Sequence, residues 1–413
     1  MRRATALLTF LAVAAIGLVA CTPAPAPGPT GPYPVQVSAS GFSTCAVMSD
    51  GTVRCWGFAL TGEPFQTERM KIQGTSTPTE VAGLAGIVQV SVGVRFACAL
   101  DAAGTVFCWG ENEKGQLGNG TTANSPTPVA VVGLPPATRI AVGVANVCAT
   151  VRGVGLNAGV YCWGWNQVAQ LGNGTTVDSP VPTQVVGVGD AVDVSVGRTH
   201  GCAITRNSFV SPAENRLRCW GANDFGQLGD GTFADSPIAV PVDGDPTDWT
   251  DISVNNDYQI TCGIRGSGPG SVVQCWGRGP GPSPVTVWGF PGEASATAVV
   301  SSGLNLLLVG FVQNCITEET GTVRCQGDNP VGELGNGTTT PSPTFGPVTG
   351  ITNATGKVTR GANHHCVLRA DRSVACWGNN TWGQLGDGKV LSPAIFDDLT
   401  VENSSLTPVL VRF

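Results

Sequence analysis

Short runs of alternating apolar and polar residues recur along the chain. "PVQVSAS", from Pro34, and "IVQVSVG", from Ile87, place an apolar side chain at every second position. A period of two puts one face of a strand against a core and turns the other away. A second kind of run comes in facing pairs. In "CAVMSDGTVRCWG", residues 45–57, two apolar segments flank Asp50-Gly51. Opposed residues of an antiparallel hairpin share a constant sum of numbers, so Cys45 and Cys55 sit symmetrically about Asp50. A three-residue loop ending in a left-handed glycine closes such a hairpin. "CALDAAGTVFCWG", from Cys98, centres on Ala103 before Gly104, and the pair Cys315/Cys325 centres on Thr320 before Gly321. "CVLRADRSVACWG", from Cys366, has Arg372 where the glycine belongs, which predicts a strained turn or one of another type. A third kind of strand is proline-rich, as in "SPTPVAVVG" from Ser125 and "SPVPTQVVG" from Ser179.

The three kinds succeed one another many times over. Gly (57) and Pro (29) make up about a fifth of the 413 residues, a composition that disfavours long helices and suits short strands joined by turns. Of fifteen cysteines, Cys21 stands alone and fourteen fall into seven pairs: 45/55, 98/108, 148/162, 202/219, 262/275, 315/325 and 366/376. In six pairs the second Cys precedes Trp-Gly (Trp56, Trp109, Trp163, Trp220, Trp276, Trp377); in the other, Gln326 takes the Trp position. These positions lie 53, 54, 57, 56, 50 and 51 residues apart, the spacing of a repeat architecture. We read seven cross-strand disulfides, Cys45–Cys55, Cys98–Cys108, Cys148–Cys162, Cys202–Cys219, Cys262–Cys275, Cys315–Cys325 and Cys366–Cys376. Metal ligation fails on spacing: there is no Cys-x-x-Cys, and His200, His364 and His365 do not fall at zinc-site intervals. The Trp after each second Cys alternates to the opposite sheet face, where its ring can pack between neighbouring sheets.

"CWGENEKGQLGNGT" at Cys108, "CWGANDFGQLGDGT" at Cys219 and "CWGNNTWGQLGDGK" at Cys376 resemble the signature of the regulator of chromosome condensation repeat family. "CWGWNQVAQLGNGT" and "CQGDNPVGELGNGT" are close variants, whereas repeats one ("CWGFALTGEPF") and five ("CWGRGPGPSPV") lack the Gly-Gln-Leu-Gly turn. The resemblance covers residues 35–413 and implies an all-β, seven-bladed β-propeller with four-stranded blades. The ordered chain starts past a proline-rich strand and ends on one, "TPVLVRF" from Thr407. The expectation is a ring closed by the C-terminal strand, which supplies what the first blade lacks. One disulfide per blade departs from the intracellular members and fits an exported version.

The termini and charge refine this. Arg2 and Arg3 precede an apolar run from Ala4 to Ala20 that ends in "LVAC". This reads as a signal peptide over residues 1–20, and "LVAC" resembles the lipobox of bacterial lipoproteins, with Cys21 the lipidated residue. "TPAPAPGPTGPYP", residues 22–34, has six prolines in thirteen and reads as a polyproline tether about 40 Å long. The predicted organisation is therefore signal 1–20, lipidated Cys and tether 21–34, and propeller 35–413. The expected location is the bacterial cell envelope, at the outer membrane or cell surface. A formal charge of −7 with no basic run argues against nucleic acid, and leaves membrane contact to the lipid anchor alone.

Catalytic signals are sparse. "GQLGDGKV", from Gly383, resembles the start of a phosphate loop but has Val390 where Ser or Thr must ligate magnesium. Asp243, Asp245, Asp248 and Asp251 form an acidic insertion without EF-hand spacing. The histidines read as strand or channel residues. No catalytic residue, metal or cofactor is assigned. The variable loop positions next to Cys-Trp-Gly and before Gly-Gln-Leu-Gly carry large side chains on one predicted rim, where aromatics act as anchors. Candidate binding residues are Phe58, Trp165, Phe225 and Trp382, with Lys114 and Arg278 as polar rim. The reading is a monomeric, non-enzymatic binding module for a protein or glycan. The resemblance also implies guanine-nucleotide exchange, which export disfavours; a carbohydrate-active enzyme would need carboxylates gathered at the channel mouth.

Overall fold

The computed structural model describes residues 31–58, 60, 74–152, 158–207, 214–255, 259–268, 270–288, 296–302, 313–389 and 403–413. Cys21 and the predicted signal peptide lie outside the described residues, as does most of the tether. The described chain forms twenty-eight strands in seven antiparallel sheets of four. Blade one is β1 (Pro34–Ser40), β2 (Ser43–Met48), β3 (Val53–Phe58) and β4 (Gly74–Glu80), paired in that order. Every other blade repeats the scheme. An alternating strand lies innermost, the two cysteine strands follow, and the proline-rich strand lies outermost, where a missing N–H costs least.

All seven cysteine pairs stand directly opposite each other in the hairpin register, with Cα atoms 4.0–4.2 Å apart and sulfurs bonded. That separation belongs to the closely spaced kind of antiparallel pair. The turns close as the glycines predict: Gly51, Gly104 and Gly321 have φ of 79°, 90° and 81°. Arg372 takes the same place at φ 67°, so the turn type is kept and a side chain is held in left-handed geometry. Its guanidinium lies 4.1 Å over the Tyr33 ring, a contact that offsets part of the strain.

The ring does not close as the sequence suggests. The C-terminal strand, β28 (Ser404–Leu410), pairs with β27 (Val374–Asn379) and completes blade seven. Blade one has its four strands in consecutive order and borrows none. The proline-rich strand is the last strand of its own blade, β4 in blade one and β28 in blade seven.

Closure comes instead from packing between blades. Seven apolar clusters each join residues of two neighbouring blades, one of them linking blade seven to blade one through Trp56, Met48, Cys376 and Leu385. Polar side chains satisfy the open edges of the inner strands. Gln36 on β1 accepts from Val90 N (3.0 Å) and donates to Val90 O (3.0 Å) on β5 (Ile87–Val92). Gln89 does the same to Ile140 of blade three, at 3.0 and 2.8 Å. Ser38 accepts from Val92 N at 3.1 Å, and across the closing seam Thr359 accepts from Ala39 N at 2.6 Å. An unpaired strand edge invites other chains, and these clamps remove the invitation. The inner strands of all seven blades line a central cavity of about 270 Å³.

Candidate functional site

The signature motif builds one edge of the ring. In blade two, Asn112 is its hub: its Oδ1 accepts from Leu117 N (2.8 Å) and its Nδ2 donates to Thr121 O (3.0 Å) and Ala123 O (2.9 Å). Asn166, Asn223, Asn329 and Asn380 accept from the equivalent leucine N–H at 2.9 Å. The asparagine recurs in every complete copy of the quoted motif, but its role could be found only once the loop was seen to fold around it. Gln116 then caps Lys114 N, and Leu117 is driven into the seam with no exposed surface. The tryptophan of the following blade docks on this turn. Indole N–H groups of Trp163, Trp220, Trp276, Trp377 and Trp56 donate to the main-chain oxygens of Gln116, Gln170, Gln227, Glu333 and Gln384 at 2.8–3.0 Å. The seam from blade seven to blade one therefore uses the same bond as the interior seams.

The six rim candidates are distributed around the edge that carries these loops. Main-chain bonds such as Phe58 N to Phe42 O (2.9 Å), Trp165 N to Ala145 O (2.9 Å) and Arg278 N to Gln259 O (3.0 Å) tie each loop to the turn between its blade's first two strands. Phe58 is buried, 8% exposed, and its ring meets Trp382 edge-on at 5.7 Å; it supports Trp382 and presents little surface of its own. Trp382 is half-buried between Phe58 and Phe42. Trp165 is half-buried, with the Arg198 guanidinium 5.9 Å from its ring. Phe225 is exposed, 37%, under Arg278 at 4.9 Å. Lys114 reaches Asp178 at 3.8 Å. The structure thus pairs Phe58 with Trp382 and Phe225 with Arg278, each across a seam, and leaves Trp165 and Lys114 to other partners.

The remaining candidates resolve into structural roles. His200, His364 and His365 are fully buried in the seams rather than set in the channel. Burial pushes His200 and His364 down to about 3, and pushes His365 well below its ordinary value. The aspartates of the acidic insertion are scattered among separate partners. Asp243 accepts from Ser283, Asp245 pairs with Arg216 and Arg218, Asp248 with Arg265, and Asp251 with Lys357. No cluster of three metal-ligating side chains occurs among the described residues. Near one mouth of the channel, Asp193 faces Arg139 at 3.4 Å, and Asp251 holds Lys357 at 2.9 Å and Val299 N at 2.8 Å. Burial raises the Asp193 pKa, with Arg139 opposing. Each carboxylate already has its cation, so the pair gives the enzyme reading no support.

A model described as "Regulator of chromosome condensation (RCC1) repeat" matches residues 103–150 and 157–204, and a second of the same description matches 35–58, 87–116 and 357–384. The chain carries regulator of chromosome condensation repeats over those residues, within a seven-bladed β-propeller. Such repeats occur in proteins of very different size. The human E3 ubiquitin-protein ligase HERC2 is 27% identical over 327 residues, covering 74% of this chain but 6% of that protein. The ultraviolet-B receptor UVR8 of Arabidopsis thaliana is 25% identical over 342 residues, 79% of this chain and 70% of the receptor. The crystal structure of human WBSCR16 shares the fold, with a TM-score of 0.70 at 16% identity over 88% of this chain and 94% of that one. The seven disulfides fit an oxidising setting, where such bonds persist. No helix among the described residues is long and apolar enough to cross a membrane.

Proposed function

We propose that the protein is a non-enzymatic binding module held at the bacterial cell envelope. In this reading residues 1–20 are a lipoprotein signal, Cys21 bears the lipid, residues 21–34 are the tether, and the propeller engages a protein or glycan through its loop edge. The observation that carries it is the set of aromatic and cationic side chains on that edge, with Phe225 exposed beneath Arg278 and Trp165 and Trp382 half-buried. Rigid aromatics beside a guanidinium are the residues that dominate interface energies, because they bury area at little entropic cost. The ring supports this use: the seams fix the loops, so little conformational freedom remains to be lost on binding.

Two measurements test the reading. Oxidised protein used as bait on envelope extract should retain a partner that is lost when Trp165, Phe225 and Trp382 are each changed to Ala. An unchanged set of partners removes the edge from consideration. Separately, Cys21→Ser should abolish palmitate labelling and move the protein to the soluble fraction; a protein that stays on the membrane without Cys21 has another anchor.

A further inference from the structure

The chain holds three Asn-Gly dipeptides, Asn119-Gly120, Asn173-Gly174 and Asn336-Gly337, all at one place in the signature turn. Asn-Gly loses ammonia readily, because the bare glycine leaves its nitrogen unhindered. That nitrogen attacks the asparagine Cγ, the side-chain nitrogen departs as ammonia with the proton the glycine gives up, and a five-membered succinimide remains. Water then opens the ring. Cleavage of the bond to Cγ gives aspartate; cleavage of the bond to the main-chain carbonyl carbon gives isoaspartate, with the chain routed through the side chain.

Burial does not protect these sites: each asparagine is half-buried and the glycine after it is exposed. The seam holds them instead. Gly120 N donates to Pro180 O at 3.0 Å, Gly174 N to Pro237 O at 2.8 Å and Gly337 N to Leu406 O at 2.9 Å, each acceptor lying on the outer strand of the following blade. Each asparagine Oδ1 accepts from the main-chain N and the Oγ1 of the threonine two residues on, at 2.8–3.1 Å. Ring closure needs the glycine nitrogen to leave the neighbouring blade and Cγ to leave its threonine. Both bonds must break before the succinimide can form.

The two products differ in what the seam accepts. Blades four and seven carry aspartate at the same place, Asp230-Gly231 and Asp387-Gly388. Asp230 Oδ1 accepts from Thr232 N at 3.0 Å and Thr232 Oγ1 at 2.9 Å, while Gly231 N donates to Pro282 O at 2.9 Å. The oxygen does the work of the turn, so aspartate fits. Isoaspartate adds a methylene to the main chain, about 1.5 Å, between two fixed points. After it stands the glycine N–H on the next blade. Before it stands a glycine pressed on that blade's tryptophan: a Cβ on Gly118 would fall 2.7 Å from Trp163 Nε1, and one on Gly172 2.6 Å from Trp220 Cδ1. We propose that Asn119, Asn173 and Asn336 are isoaspartate-forming modification sites held silent by their seams. Each records the opening of its own seam as a covalent change that then prevents the seam from closing. Water is the only co-reactant. The proposal goes beyond the edge reading and uses none of Trp165, Phe225, Arg278 or Trp382.

The test ages the oxidised protein for days at mildly alkaline pH, folded or in strong urea. Peptide mapping by mass spectrometry, with fragmentation that separates isoaspartate from aspartate, follows each site. Conversion should be at least about tenfold slower in the folded chain at all three sites. Trp163→Phe removes the bond from that indole to Gln116 O (3.0 Å) in the seam between blades two and three. It should speed Asn119 about tenfold and leave Asn336 at its original rate. Equal rates in the folded and urea-treated chains overturn the proposal, as does a rise at Asn336 equal to that at Asn119. If Trp163→Phe does not fold, low urea applied to the unaltered chain carries the test. The sites should then gain rate before the near-ultraviolet circular dichroism changes; sites that react only in step with global unfolding overturn it. In the aged folded sample, chains with isoaspartate at 119 should be enriched in the fraction cut first by limited proteolysis, and chains with aspartate there should not. Equal enrichment of the two products overturns the idea that only isoaspartate blocks closure. Asn119→Asp should melt with the unaltered protein, and a marked fall in Tm overturns the silence of aspartate.

Discussion

At the scale of single residues, the buried histidines have the clearest consequence. His200 Nε2 lies 2.8 Å from Thr261 Oγ1, and that hydroxyl donates to Gln227 O at 2.9 Å. The single hydroxyl proton is thereby used, so Nε2 must carry the ring's hydrogen and Nδ1 is left without a partner. His364 repeats the arrangement on Thr44, at 2.9 Å. These rings are folded only as neutral imidazoles. Their folded pKa values lie below the unfolded one, so their contribution is whole above about pH 6.5 and is lost as the pH falls toward 3. Each removes about 1.4 kcal/mol per pH unit across that window. Urea unfolding at pH 7, 5.5 and 4.5 should show this slope, and His200→Asn should reduce it, since Asn146 occupies the corresponding buried place in blade three. An equal slope in that variant would place the acid sensitivity elsewhere. The hairpin cysteines and turn glycines were legible in the sequence because their geometry is local. Burial of the histidines was not, since the threonine that holds each one comes from the next blade.

At the scale of elements, the seam is the unit of stability. Trp220→Phe keeps the ring and removes the bond to Gln170 O (2.9 Å), leaving a buried carbonyl unpaired at a cost of about 1–3 kcal/mol. Leu228→Ala opens a cavity in the same kind of joint and should cost about 2–5 kcal/mol. Gln326→Trp should bring no gain, because blade five offers no turn to receive the indole; a stabilised variant would show that another carbonyl serves. Thermal denaturation followed by near-ultraviolet circular dichroism measures all three. The sequence revealed the motif and its period but not its phase. The proline-rich strand could be taken as the first of the next repeat or the last of its own, and only pairing decides. The partner of each tryptophan was hidden for a related reason, since Trp163 and Gln116 are 47 residues apart. Of the candidate edge, spacing placed the residues on equivalent loops. It could not show that Phe58 sits under Trp382, because that contact joins the first blade to the last.

At the scale of the whole molecule, the ring is a circle of like joints, and the disulfides are local reinforcements within it. Each closes a loop with a sequence separation of only 10 to 17 residues. Replacing both Cys315 and Cys325 by Ser should therefore cost at most about 3 kcal/mol and leave the other blades folded. Loss of all seven sheets from that one change, seen by hydrogen exchange, would show the blades to be more strongly coupled than nearest-neighbour packing allows. The expectation of an oxidising setting was legible from the even pairing of fourteen cysteines once Cys21 was set aside.

The strictly sequential construction of the blades bears on how the molecule comes into being. With Cys21 set aside, sulfur partners are always neighbours along the chain, first with second, third with fourth, so each bridge can form as soon as its own hairpin has been made. An emerging chain never has to hold a thiol in reserve for a distant mate. Oxidation can keep pace with synthesis from the N-terminus onward, and mispaired isomers need arise only when delivery outruns the supply of oxidant.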